Sequence, residues 1–200
     1  MVKYLIFIFL FFAVFTFAGD NENTLVSKLQ KKFETINDLT VDVVQKSHGK
    51  EILSGKLSYK KENQFHLDLK SNLIVSDGST IWNYNKARNK VVINDVDETD
   101  PSFFSFNRIV YDYPLKCDLS SEKDGEFDVL IFVPKQNSNL GFIEARVWIN
   151  RDNLISKVEL SGTGSEKTEV HFSNYKLNQN LPDSKFKFNP PEGSSIIDLR

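Results

Sequence analysis

From Leu39 to Phe188 the apolar residues alternate with polar ones over short runs, and turn-forming residues separate the runs. A period of two sends successive side chains to opposite faces of an extended backbone, so each run predicts a strand half-buried on one side. The predicted strands are Leu39–Lys46, Ile52–Lys60, Gln64–Lys70, Leu73–Ser76, Thr80–Asn85, Lys90–Asp95, Leu115–Leu119, Phe127–Pro134, Phe142–Asn150, Leu154–Gly162, Lys167–Tyr175 and Lys185–Phe188. His48-Gly49, Asp77-Gly78, Asp124-Gly125, Arg151-Asp152-Asn153 and Gly162-Thr163-Gly164 supply the turn chemistry between them. Short strands at even spacing make a meandering antiparallel sheet or a barrel.

Two segments leave this pattern. In Asn21–Ile36, Leu25, Leu29, Phe33 and Ile36 recur at helical spacing, Val26 widens the stripe, and Lys28, Lys31, Lys32 and Glu34 fall off it. Asn23 or Thr24 is the expected N-cap. Asp100-Pro101 reads as a cap followed by proline at the first helical position, opening a helix over Ser102–Val110. That helix carries Phe103, Phe104, Phe106, Ile109 and Val110, more apolar surface than an ordinary surface helix uses. It is either deeply buried or the cover of an apolar cavity.

The strand faces point the same way. Ile143, Ala145, Val147 and Ile149 share one face, with Glu144, Arg146 and Trp148 on the other; Leu53, Gly55, Leu57 and Tyr59 form a similar stripe. A sheet of this size is poorly covered by two or three short helices. Concave room for a ligand follows, unless the sheet closes into a barrel and fills that room with side chains.

Ahead of the first helix, Lys3, the apolar run Leu5–Phe12 and the small-residue site Thr16-Phe17-Ala18 have the layout of a secretory signal peptide over residues 1–18. Cleavage is expected after Ala18 or Gly19, leaving a single domain over residues 19–200. The alternative is an uncleaved anchor, but Tyr4–Ala18 is short of the ~20 residues that span a bilayer. Lys and Arg number 25 against 27 acidic residues; without Lys3 the balance is 24 to 27, a net charge of −3. That balance excludes the basic footprint of a nucleic-acid binder. Cys117, the single cysteine, allows no internal disulfide framework and reads as a buried thiol.

Catalytic constellations are thin. His48, His66 and His171 lack metal-ligand spacing, no Gly-x-Ser-x-Gly elbow is present, and Gly162-Thr163-Gly164-Ser165 lacks the lysine of a phosphate loop. A hydrolase built on Ser76 and Asp77 with His66 is the tempting version, yet Asp77-Gly78 is better read as a turn. The acidic run around Asp95, Asp97, Glu98 and Asp100 is a solvated loop. No enzyme, metal or cofactor is expected.

Two motifs carry a resemblance. Val75-Ser76-Asp77-Gly78-Ser79-Thr80-Ile81-Trp82-Asn83-Tyr84-Asn85 feeds a tight turn into an aromatic strand, and Phe186-Lys187-Phe188-Asn189-Pro190-Pro191-Glu192-Gly193 follows about a hundred residues later. With Gln45-Lys46, the strand Ser54–Lys61, Phe65 and Pro101 in order between the opening helix and the ending, the chain resembles the LolA family of periplasmic lipoprotein carriers. The resemblance implies a mostly β (α+β) fold: a strongly curved, incomplete antiparallel barrel with a lid of two or three helices over its concave face. It also implies a carrier that shelters lipoprotein acyl chains between sheet and lid. Cargo would come from an inner-membrane ATP-driven complex of the LolCDE type and pass to a LolB-like outer-membrane acceptor, with the carrier a monomer in the periplasm. The expected cavity residues are Phe33, Val43, Leu57, Tyr59, Phe65, Leu67, Leu69, Trp82, Tyr84, Phe103, Phe104 and Phe106. Where the family commonly has Arg-Pro, this chain has Lys61-Glu62; the arginine latches the lid through backbone carbonyls, a role that falls to Lys61 or Lys60 here without the planar guanidinium fork. Leu67 replaces a further aromatic. A sensor of mislocalised envelope lipid or lipoprotein, using the same architecture, is the alternative.

Overall fold

The computed structural model describes residues 22–97, 105–138, 140–162 and 167–200. The signal-peptide reading, the Asp100-Pro101 cap, and Phe103 and Phe104 lie outside these residues. Helix α1 (Glu22–Glu34) opens the described chain, with Leu25, Val26, Leu29 and Phe33 buried on one stripe. Asn23 and Thr24 sit inside it, so neither is its cap. Six strands follow: β1 (Asp38–Ser47), β2 (Lys50–Lys60), β3 (Gln64–Leu69), β4 (Asn72–Asp77), β5 (Thr80–Asn85) and β6 (Lys90–Asp95). A second helical segment holds a π-helical stretch, Arg108–Asp112, running directly into α2 (Tyr113–Lys116). Then come β7 (Cys117–Asp124), β8 (Phe127–Pro134), β9 (Glu144–Ile149), β10 (Ile155–Ser161) and β11 (Lys167–Leu177). A 3-10 turn (Asp183–Phe186) and β12 (Ser195–Asp198) complete the chain.

All twelve strands form one sheet in the order β12-β6-β5-β4-β3-β2-β1-β11-β10-β9-β8-β7. Two meanders are joined where β11 returns to pair antiparallel with β1. The turns follow the sequence: His48 and Gly49 both take positive φ, as do Gly78, Gly125 and Asn153. Asp77 fixes its own turn by accepting from the Ser79 and Thr80 N–H groups at 3.0 and 2.9 Å. Gly55 is required by close approach: a methyl there would fall 2.2 Å from the Asp68 carbonyl oxygen on β3.

Three expectations are corrected. The sheet is mixed, because β12 pairs parallel with β6. As the incomplete-barrel expectation has it, the sheet stays open, with β12 and β7 as its two edges. Lys185–Phe188 is not a strand; Pro182 and Asp183 start a 3-10 turn that buries Phe186, and the last strand lies beyond the Pro190-Pro191 break. The aromatic helix continues past Val110 to Lys116, so Leu115 is helical and β7 starts at Cys117. Tyr113 explains the extension: its ring packs on Phe132 and Phe142 at 6.2 and 5.1 Å, anchoring a further turn to the sheet.

Strand register divides the sheet into two faces. Leu39, Val41 and Val43 of β1 face the helices and are buried, while Thr40 and Asp42 point away. Ala145, Val147 and Ile149 are likewise buried on the helical side. One continuous core joins α1, the second helical segment and the inner residues of β1, β2 and β7–β11. A smaller cluster on the reverse face holds Val75, Val91 and Ile93, with the 3-10 turn packed on β3 and β4.

Candidate functional site

The helical face of the sheet is where apolar residues from both halves of the chain converge. Phe106, which is 1% exposed, sits at the hub. Its ring lies 5.5 Å from Phe33 on α1, 5.8 Å from Tyr59 on β2 and 5.3 Å from Phe172 on β11. These are ordinary tilted and edge-on aromatic contacts, each adding about 0.5–1.5 kcal/mol beyond burial. Beside this cluster opens a cleft of about 240 Å³ lined by Phe33, Ile36, Tyr59, Lys61, Glu62, Asn107 and Tyr111. It is smaller than the ~300–1,000 Å³ of an ordinary ligand pocket. Among the described residues, Phe33, Tyr59 and Phe106 pack on one another where the hollow was expected.

Polar groups tie the helical cover to the sheet at the rim. The last carbonyls of a helix have no intrahelical partner. At the end of α1 the Glu34 carbonyl accepts from Lys61 Nζ at 3.0 Å, and the Thr35 carbonyl accepts from Asn178 Nδ2 at 2.9 Å. A cation there also complements the helix dipole. In the second segment Pro114 has no N–H to give to the Val110 carbonyl four residues back. Gln30 Nε2 of α1 donates to that carbonyl at 3.1 Å, joining the two helices. The upstream backbone has already widened: Tyr113 N–H donates to the Arg108 carbonyl, five residues away. The Tyr59 hydroxyl donates to Asn107 Oδ1 at 3.1 Å, while Asn63 Oδ1 accepts from Asn107 Nδ2 at 3.2 Å and from the Ser105 hydroxyl at 3.3 Å. Burial pushes the Tyr59 hydroxyl up to about 12, so it remains a donor.

The cavity residues foreseen from the sequence divide between the faces. Phe33, Val43, Leu57, Tyr59 and Phe106 belong to the buried core under the helices, and Phe65 and Leu67 pack against it. Leu69 shares their face through its pairing with Gly55. Trp82 and Tyr84 do not. Tyr59 pairs with Phe65, Phe65 with Ser76 and Ser76 with Ile81, so Ile81 and Asn83 are the β5 residues on the helical side. Trp82 pairs with Val75 and faces the reverse side, where Tyr84 meets the Phe188 ring at 5.7 Å. The same register separates Ser76 from His66, which point to opposite faces, so the tempting hydrolase pair is never assembled. Lys60 is also on the reverse side and bonds Asp183. Lys61 makes the bond to a helix carbonyl, through an amine.

Sequence reasoning passed over Phe172, Asn63 and Asn107. Phe172 had a signal: with Val170 it alternates against His171 and Ser173, and β11 pairs with β1 at Val43. Asn63 and Asn107 had none, because their meeting depends on how the second helix docks.

The described residues form an open, mostly β sheet whose one apolar face is closed by two helices and held at the rim by a few polar bonds. The chain belongs to the family described as outer membrane lipoprotein carrier protein LolA, whose model matches residues 34–189. It is similar to an outer-membrane lipoprotein carrier protein of Pseudomonas putida, 28% identical over 92% of each chain. A carrier of the same description from Actinobacillus pleuropneumoniae is 29% identical over 88% of this chain and 84% of that one. An uncharacterized protein of Methanocaldococcus jannaschii is 26% identical over 98% of this chain, which spans 60% of that protein's length. The crystal structure of an uncharacterized conserved protein from Thermus thermophilus has the same fold, with a TM-score of 0.60 at 14% identity over 88% of this chain and 98% of that one. Among the described residues no helix is long and apolar enough to cross a membrane.

Proposed function

We propose that this protein is a periplasmic carrier that takes the acyl chains of lipoproteins between its sheet and its helical lid and moves them from the inner to the outer membrane. The observation that carries the reading is the apolar contact between the two helices and one sheet face, with Lys61, Gln30 and Tyr59 as polar ties at its rim. Two or three acyl chains expose on the order of forty methylenes at ~0.8 kcal/mol each, about 30 kcal/mol that forbids unaided passage through water. A carrier must offset most of this and still let go. Apolar contact does so without directional bonds, and aromatics on a movable lid adapt to chains of different length.

Cargo enters as the helices lift from the sheet. Phe33, Val43, Leu57, Tyr59, Phe65, Leu67, Leu69 and Phe106 meet the chains, and Lys61 latches the end of α1 when the lid is down. Loading would draw on ATP hydrolysis in a LolCDE-type donor, and delivery on a LolB-like acceptor; the carrier itself works as a monomer exported by a cleaved signal peptide. The test is transfer of a triacylated lipoprotein from donor-containing vesicles into the soluble fraction by the purified protein. Appearance of a one-to-one soluble complex supports the reading, and retention of all lipoprotein in the vesicles contradicts it.

A further inference from the structure

We propose that Gln30 and Pro114 form a coupling device that makes α1 and the second helical segment one cooperative unit, with Gln30 supplying the donor that Pro114 withholds. The device belongs to the helices alone and operates whether or not lipid is the cargo. In a helix each N–H serves the carbonyl four positions back, so the Val110 carbonyl loses that partner to the proline at 114. Val110 is 0% exposed, which leaves water little access to the gap. This carbonyl also lies within the π-helical stretch Arg108–Asp112, where the Tyr113 N–H has passed over Ile109 to reach the Arg108 carbonyl. Such single-turn stretches recur at functional sites. Gln30 Nε2 enters from α1 and donates to the Val110 carbonyl at 3.1 Å.

Position makes this bond a link between elements. Gln30 follows Val26 by four residues and precedes Phe33 by three, so the three share one face of α1. Val26 and Phe33 are buried there, and the Phe33 ring meets Phe106 of the second segment at 5.5 Å. The two helices therefore hold each other by an apolar contact and a directional bond together. Their ties to the sheet lie elsewhere. The end of α1 is held by Lys61 and Asn178 at the Glu34 and Thr35 carbonyls. The second segment is held by Tyr59 on Asn107 and by Tyr113 against Phe132 and Phe142. Lifting one helix alone costs its sheet ties, the apolar contact and the donor of a buried carbonyl. Lifting both keeps the contact and the bond. Release of either set of sheet ties is thus passed through Gln30 to the other.

The test is a double-mutant cycle on the purified full chain: wild type, Gln30→Met, Pro114→Ala and the two together, with circular dichroism on each. Met matches the length of Gln without its donor. Native-state hydrogen exchange in low urea follows the amides of residues 25–33 and 109–117. In wild type the two sets should share one opening equilibrium, within about twofold. Gln30→Met should split them, the second segment then exchanging about tenfold faster than α1. In Pro114→Ala the new N–H at 114 meets the Val110 carbonyl, so adding Gln30→Met should change either set by less than about twofold. Equal effects of Gln30→Met with Pro and with Ala at 114 overturn the device. Helices that open independently in wild type overturn it as well. If Gln30→Met alone does not fold, recovery in the double variant supports the coupling and failure to recover overturns it. Each of these outcomes leaves the carrier reading as it stands.

Discussion

Lys61 holds the end of α1 with one exposed bond, Nζ to the Glu34 carbonyl at 3.0 Å. Exposed charge-assisted bonds are weak, so Lys61→Ala should leave the melting temperature nearly unchanged yet raise amide exchange in the last turn of α1 on the order of two- to fivefold. Lys61→Arg should slow that exchange, since a guanidinium can engage two carbonyls at once; equal exchange in all three proteins would deny the latch. Cys117 and Tyr59 give the fold a pH dependence. Burial pushes the Cys117 thiol from its ordinary 9.0 up to about 11, and the Tyr59 hydroxyl from 10.0 up to about 12. Both groups are acids whose neutral form the fold favours, so their stabilisation is complete below the unfolded values and is lost as pH rises through the folded ones. The urea midpoint should hold from neutrality to about pH 9 and then fall, and in Cys117→Ala the fall should begin about one pH unit later. The buried thiol was legible in the sequence because Cys117 lies within an alternating run and has no His or Arg beside it. Trp82 was misplaced because aromatic content says which residues are buried but not on which face. A shift of one residue in counting across the Asp77-Gly78 turn reverses every side chain beyond it.

The helices, the two meanders and the C-terminal segment differ in how openly the sequence announced them. The strands were legible because each pairs with a neighbour close in sequence and alternation marks its buried face. The 3-10 turn and β12 were not, because the turn packs on β3 and β4 and β12 pairs with β6, all about a hundred positions away. Phe186 is 1% exposed, Ser194 Oγ donates to Asn89 Oδ1 at 2.8 Å, and β12 adds to β6 in parallel. This strap seals the reverse face of β3–β6. Phe186→Ala should therefore destabilise the protein by about 3–5 kcal/mol in urea unfolding. It should leave the affinity for a fluorescent N-palmitoyl amide as in wild type at temperatures where the variant is folded. A changed affinity would mean that the two faces communicate. Asp38 ties the same segment to β1: it is 3% exposed and accepts from the Gln179 and Leu181 N–H groups at 2.8 and 3.3 Å. Asp38→Ala leaves those donors without their acceptor and should cost about 2–4 kcal/mol by the same measurement. A loss below about 0.5 kcal/mol would show that water replaces the carboxylate freely.

For the whole molecule, the proposed carriage requires sheet and helical cover to be two apolar surfaces that meet each other when empty and enclose cargo when loaded. The sequence revealed the greasy sheet face and the helices meant to cover it, and the ordered motifs gave the family. How completely the cover fills the space was hidden, since packing between distant elements leaves no local periodicity. The most direct measurement is native mass spectrometry of the purified protein mixed with a synthetic triacylated lipopeptide, followed by hydrogen exchange of the complex. A carrier of this design gives a one-to-one complex in which amides of α1 and residues 105–116 lose protection while those of β8 and β9 keep theirs. Absence of any complex, or a complex in which both helices stay as protected as in the free protein, would contradict it.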